Sequence, residues 1–358
     1  MHTRRKVTLE DVAQLAGVSK ATASVVLNDR VGRNIRVNPL TQDRVMDAAR
    51  TLGYVANSAA RVLAGQRNRI IAIFTYEPIF PVEHRDYFYP FLLGIEAEAE
   101  RFGYDLLLMT STSEADGGRS VYAGGENRLK IADGVIILGL KRDSGELRSL
   151  LAEDFPVVFI GRREFEGFPT SYVASDYARA TSLVTRLVAS RGHCSITYLG
   201  TTMESESALD RESGFSAAVT DLELPAERCV VRRSEPEEVT AGFLQRELAR
   251  GVTAFLAENY YYAARLKVAA GLLALSIPRD FSVAILDGPG DDVAQDLDWT
   301  RFVQQRRDLG VLALKLLVEI LQGTVVPPVR RIIDCEIVEG GTLGAGPGEV
   351  TDFQLSRS

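Results

Sequence analysis

Thr8-Leu-Glu-Asp-Val-Ala-Gln-Leu-Ala-Gly-Val-Ser-Lys-Ala-Thr-Ala-Ser-Val-Val-Leu-Asn28 decides how this chain is read. After Thr8, the residues Leu9, Val12, Ala13 and Ala16 recur at helical spacing, and Glu10 and Asp11 occupy the positively polarised first turn. The spacing predicts a short amphipathic helix that stops at Gly17, whose freedom at positive φ suits the position after a helix end. Ser19 then caps a second helix running to Val26 or Leu27. Two helices joined by about four residues that include a glycine have the helix-turn-helix layout. Asn38 and Pro39 open a third helix, with Val45, Ala48, Ala49 and Leu52 on its buried face. The expectation is a small all-α domain over 1–56.

Charge supports a split chain. The net charge of −7 is distributed as +7 over residues 1–69 and −14 over the remainder. A cationic module on an acidic body suits a protein whose one end meets phosphates. Cys194, Cys229 and Cys335 are odd in number and far apart, so they read as reduced thiols with no disulfide framework. Arg4-Arg5-Lys6 is followed by Glu10 and Asp11 where a signal peptide needs an apolar run, and no apolar run approaches the ~20 residues that span a bilayer. A soluble, cytoplasmic, nucleoid-associated protein with no membrane partner is expected.

The Thr8 to Asn28 stretch, continued by Thr41-Gln-Asp-Arg-Val45 and Leu52-Gly-Tyr-Val-Ala-Asn57, resembles the LacI family headpiece. The resemblance implies that the second helix lies in the major groove of double-stranded operator DNA. It implies a DNA-contacting set of Thr8, Ser19, Lys20, Ala21, Thr22, Ser24, Val25, Asn28, Tyr54, Asn57, Ala60 and Leu63. Lys20 can donate to guanine, Ser24 to several base edges, and Thr22 can reach phosphate, whereas Ala21 offers only a methyl. Val25 stands where the family usually carries a guanine-reading arginine, so the half-site should differ from the family average. Arg30, Arg33 and Arg36, in the long loop 29–37, suit either phosphate contacts or a solvated loop. Residues 57–69 read as hinge helix and linker: Asn57 to Gly65 resembles the family's hinge helix, and the polar Gln66-Arg67-Asn68-Arg69 follows. About eight residues cannot nucleate a helix alone, so the hinge is expected to fold only on DNA and in a dimer, with Leu63 wedged into the minor groove.

From Ile70 onward, apolar runs alternate with helical segments: Ile70 to Phe74, Asp105 to Met109, Gly134 to Leu138 and Val157 to Ile160, then Ser195 to Leu199, Cys229 to Val231, Ala254 to Ala257 and Ser282 to Leu286. Continuous Val/Ile/Leu strands separated by helices predict parallel sheets buried on both faces, in two α/β lobes with a ligand crevice between them. This half also resembles the LacI family and, more distantly, periplasmic sugar-binding proteins. The matching stretches include Ala132-Asp-Gly-Val-Ile-Ile137, Val173-Ala-Ser-Asp176 and Asp210-Arg-Glu-Ser-Gly-Phe215. The expected fold is a periplasmic-binding-protein-like body over 70–343. Lobe one takes about 70–173 and 305–333, lobe two about 174–304 and 334–343, and a flexible tail follows over 344–358.

The resemblance aligns Arg211, Asn259 and Asp287 with positions that hydrogen-bond ligand hydroxyls, with Arg162 and Gln304 beside them. Phe88 or Tyr260 could cover a sugar face. The Tyr260-Tyr261-Tyr262 run replaces the acid that relatives often carry there, which alters the expected ligand polarity. No G-x-G-x-x-G follows Ile70 to Phe74, no phosphate-loop lysine exists, and His2, His84 and His193 lack metal-ligand spacing, all of which argue against an α/β enzyme. No cofactor is implied. The expected function is a homodimeric transcriptional repressor with a sugar-like effector, with an activator on the same fold as the alternative. A free-standing solute-binding protein is disfavoured because no export signal is read.

Overall fold

The computed structural model describes residues 7–27, 37–54, 67–77, 82–110, 119–123, 125–139, 144–287 and 297–348. Asn28, the arginine loop and the hinge residues Asn57, Ala60 and Leu63 lie outside the described residues. The chain divides into two compact units, residues 1–68 and 69–358.

The first unit holds α1 (Leu9–Ala16), α2 (Lys20–Leu27) and α3 (Pro39–Leu52). Each starts and stops on local chemistry. Thr8 and Asp11 cap α1 reciprocally, Asn38 Oδ1 accepts the Leu40 N–H ahead of α3, and left-handed Gly17 and Gly53 end α1 and α3. Val12, Ala13, Ala16, Ala23, Val26, Val45, Ala48 and Ala49 form the common core. Small side chains at that centre let three short helices pack closely.

The second unit contains two six-stranded sheets. The first has the order β13-β7-β6-β5-β1-β2, from β1 (Ile70–Phe74), β2 (Asp105–Met109), β5 (Gly134–Ile137), β6 (Val157–Ile160), β7 (Tyr172–Ser175) and β13 (Arg330–Ile333), all parallel. The second has the order β14-β12-β11-β10-β8-β9, from β8 (Ile196–Gly200), β9 (Cys229–Arg233), β10 (Ala254–Ala257), β11 (Ser282–Ile285), β12 (Thr300–Val303) and β14 (Glu336–Val338), parallel except for β14. A small hairpin, β3 (Tyr122–Ala123) and β4 (Glu126–Asn127), sits apart from both. Helices α4 (Val82–Phe102) and α10 (Arg306–Gln322) pack with the first sheet, and α6 (Tyr177–Ser190) and α7 (Glu206–Asp221) with the second. Further helices are α5 (Ser144–Ala152), α8 (Ala241–Ala249) and α9 (Tyr260–Leu272). The chain crosses between sheets after β7, after β12 and after β13. Asp176 N–H bonds Ile333 O at 2.8 Å and Arg179 holds Asp334 at 2.9 Å, tying two of the three crossings together. Among the described residues no helix is long and apolar enough to cross a membrane.

The crossing of α4 and α10 depends on two glycines. A Cβ on Gly94 would stand 2.0 Å from Arg307 O, and one on Gly310 would stand 2.2 Å from Phe91 O. Backbones meet there directly.

The flexible tail expected from Gly344 onward is corrected over 344–348, which form an ordered strap along the second lobe. Gly344 N–H bonds Ser282 Oγ at 3.0 Å, Gly346 N–H bonds Arg191 O at 2.6 Å, and Gly348 N–H bonds Gly192 O at 2.9 Å. A glycine-rich sequence here permits close backbone approach, since a Cβ on Gly346 would lie 2.5 Å from Gly192 O. His193 clamps the strap, with Nδ1 2.9 Å from Thr253 Oγ1 and Nε2 3.2 Å from Gly344 O.

Two expectations follow. Gly310→Ala should destabilise the protein by about 1–3 kcal/mol or more through overpacking. Gly271→Ala, on the exposed side of the last helical turn of α9 (Tyr260–Leu272) with nothing within 4 Å of the new Cβ, should be neutral to about 1 kcal/mol stabilising. Equal denaturation midpoints for the two variants would remove the seam argument. Burial lowers the His193 pKa from 6.5, its bond to Gly344 opposing this more weakly. The unfolded chain therefore binds the proton more readily. The contribution of neutral His193 to stability is complete above about pH 6.5 and declines as pH falls below it. His193→Gln should flatten the dependence of Tm on pH between about 7 and 5.5, and an unchanged slope would rule the residue out.

Candidate functional site

In the first unit, α2 presents one outward stripe. Ala23 and Val26 are buried, whereas Lys20 and Ala21 are exposed and Ser24 and Val25, one turn further on, are half-buried. Ser19 Oγ accepts the Thr22 N–H at 3.1 Å, and the two hydroxyls are 2.8 Å apart, so Ser19 and Thr22 first secure the helix start. Lys20 Nζ lies 3.5 Å from Glu10, with both side chains about two-thirds exposed. A pair so solvated contributes little and exchanges readily for another anion. Thr8 is engaged by Asp11 at 2.7 Å, and Tyr54 rests against the core with its N–H on Ala49 O.

In the second unit, a cleft opens where strands end. Its lining includes Tyr87, Tyr177, Thr201, Ser205, Ser207, Arg211, Glu258, Asn259, Asp287 and Gln304. Thr201, Glu258 and Gln304 directly follow β8, β10 and β12, while Asp287 stands two residues beyond β11 and Tyr177 two beyond β7. The carboxyl ends of parallel strands thus converge on one crevice.

Arg211 is the buried anchor. Its Nε donates to Leu286 O at 3.0 Å and its Nη1 to Ser207 O at 3.2 Å, and its guanidinium lies 4.0 Å from the Tyr177 ring centroid. Burial opposes the charge, but Tyr177, Glu258 and Asp287 around it outweigh that, so its pKa is raised. Glu258 accepts the Thr201 N–H at 2.8 Å, and desolvation raises its pKa against the pull of Arg211, 4.0 Å away. Asn259 Oδ1 caps α9 through the Tyr261 N–H at 2.9 Å. Asp287 receives a 2.8 Å bond from Arg306, whose guanidinium also lies 5.2 Å from the Tyr87 ring centroid. Arg306 opens a helix of lobe one and Asp287 follows a strand of lobe two, so this ion pair crosses the cleft.

Of the residues expected at the cleft, Arg211, Asn259, Asp287 and Gln304 come together. Arg162 does not line it. Instead, Arg162 grips Asp210 of α7 with bonds of 3.0 and 2.7 Å, another contact between the lobes. Beside it, Arg163 pairs with Glu206 at 3.4 Å, both side chains less than a tenth exposed. Phe88 and Tyr260 also lie outside the lining. Phe88 is buried in the lobe-one core, and Tyr260 packs edge-on to Trp299. The aromatic walls are the neighbouring Tyr87 and Tyr177. Sequence reasoning missed these two, together with Glu258 and Arg306. One residue along a helix turns a side chain by about 100°, which separates Tyr87 from Phe88.

Comparison with known proteins agrees with this architecture. Residues 8–57 match the bacterial regulatory proteins of the lacI family. Residues 78–248 match the periplasmic binding proteins and sugar binding domain of the LacI family, and 185–343 the periplasmic binding protein-like domain. The HTH-type transcriptional regulator CelR of Thermobifida fusca is 28% identical over 350 residues, covering 94% of this chain and 98% of CelR. Among solved structures, the lac repressor dimer bound to operator and an anti-inducer superposes with a TM-score of 0.70 at 23% identity, covering 95% of this chain and all of that one. The CelR–cellobiose complex gives a TM-score of 0.63 at 23% identity, with 94% and 99% coverage. With a lacI-type DNA-binding domain followed by a periplasmic-binding-protein-like body, the chain belongs to the LacI family of transcriptional regulators.

Proposed function

We propose that this protein is a homodimeric repressor whose paired N-terminal domains (1–56) read a pseudo-palindromic operator and whose body (70–343) binds a saccharide-type effector that tunes their grip. The observation that carries this reading is the cleft, where guanidinium, carboxylate, amide and hydroxyl groups converge between two tyrosine rings. That mixture of donors, acceptors and apolar faces suits a polyol. The sugar held in the CelR structure, cellobiose, supports the same class.

Dimerisation is supported by the outer face of α9, where Tyr261, Val268 and Leu272 are 60%, 56% and 75% exposed at helical spacing. Tyr89 and Leu93 of α4 add a second exposed apolar pair one turn apart. A two-fold pair of headpieces matches a two-fold operator, as in the operator-bound lac repressor dimer. Segment 57–69 is the hinge in this reading. Effector occupancy and operator occupancy then change each other's affinity by the same factor.

Lys20→Ala should weaken specific operator binding by about 1–3 kcal/mol and relax preference at one base pair, as measured by anisotropy titration at fixed salt. A loss spread uniformly over all duplexes would reassign Lys20 to phosphate. Asp287→Ala should abolish the effect of ligand on operator affinity without weakening DNA binding itself; an unchanged ligand response excludes Asp287 from the site.

A further inference from the structure

Arg211, Glu258 and Asp287 line the cleft, and Arg306 stands directly behind that lining, paired with Asp287 and packed over the Tyr87 ring. Arg306 and Asp287 neutralise one another directly at 2.8 Å. Arg211 has no such close counter-ion, because its short contacts are the neutral carbonyls of Leu286 and Ser207, and Glu258 stands 4.0 Å away. Burial raises the Glu258 pKa, which weakens the nearer of the two carboxylates that balance Arg211.

Two buried donors in the same place have no partner. Gln304 is 8% exposed and lines the cleft, and its Nε2 has no partner; the buried Nε of Arg306 has none either. Both residues stand at the amino end of α10, a helix of 17 residues whose N-cap, Gln305, makes no side-chain capping bond. The first amides of that helix add partial positive charge. A neutral hydroxyl brings its own proton, for which it needs an acceptor, and one oxygen of Asp287 is already engaged by Arg306. An anionic group accepts from several donors at once and asks for none in return.

We infer that the effector is a polyol carrying a carboxylate or phosphate, that this group is received by Arg306 and Gln304 at the amino end of α10, and that Arg306 selects for its charge. The inference rests on the polyol reading of the cleft and narrows it. Arg306 is a specificity residue in this account: in the empty cleft it holds Asp287, and in the occupied one it turns part of its donor set to the ligand.

The test uses the full-length protein in thermal-shift and calorimetric titrations against matched sets. One set is glucose, glucuronate and glucose 6-phosphate; the other is galactose, galacturonate and galactose 6-phosphate. An acidic member should bind at least tenfold more tightly than its neutral parent, and which acid wins identifies carboxylate or phosphate as the group. Arg306→Met should erase that preference, whereas Arg306→Lys should keep most of it. A neutral parent that equals or outbinds its acidic partners in the wild-type protein overturns the inference and leaves the polyol reading standing. That comparison is independent of how any variant folds. Silence from every sugar overturns both.

Discussion

A parallel sheet covered on both faces can carry polar chemistry only where its strands stop. Most internal strands of both sheets are short, buried and largely apolar runs, such as Ile71 to Phe74 or Ala254 to Ala257. The carboxyl ends are the first positions at which a charged or amide group can stand without displacing core. Thr201, Glu258, Asn259, Asp287 and Gln304 all lie within two residues of such an end, and the cleft is their meeting place. The same constraint puts all three chain crossings at one side, beside β7, β13, β12 and β14, so the lobes are joined as by a spine along one edge.

Where the lobes face each other, their ion pairs have a consistent polarity. Arg162, Arg163 and Arg306 come from lobe one, and their partners Asp210, Glu206 and Asp287 from lobe two. The Arg163–Glu206 pair is the most buried, and loss of either partner would strand a charge away from water, at a typical cost of about 3–5 kcal/mol. Arg306–Asp287 differs in that Asp287 lines a space that a ligand can enter. Whatever enters must bargain with that pair, which links the chemistry of recognition to the contacts that hold the lobes together.

Much of this was legible in advance because burial leaves a periodic imprint. The three headpiece helices and the central strands follow from apolar spacing and from caps at Thr8, Ser19 and Asn38. The strands nearest the chain crossings were not legible, although the opposite edge strands β2 and β9 were. β13 begins with Arg330-Arg331 and alternates exposed with half-buried residues, β12 is interrupted by Arg301, and β14 is three residues long, so none has a continuous apolar run. Their pairing is decided by partners far away in sequence. The cleft was half legible: Arg211, Asn259 and Asp287 stood out by type and resemblance. Tyr87 and Glu258 could not be chosen over their neighbours Phe88 and Asn259 without knowing which way each element faces. Arg306 had no signal at all until the lobe-one helix was seen to begin opposite Asp287. The strap misled composition outright, since glycine enrichment reads as mobility when no docking surface is in view.

The position of the last strands bears on how the chain is made. Sheet one takes β13 from residues 330–333, and lobe two closes with β14 and with Thr342, which bonds Val283 through both backbone and hydroxyl. Neither lobe can therefore be finished while residues 330–342 are still inside the ribosome. The headpiece, whose core draws only on its own three helices, can be complete long before, so a nascent chain bears a finished reader of DNA ahead of any means to govern it.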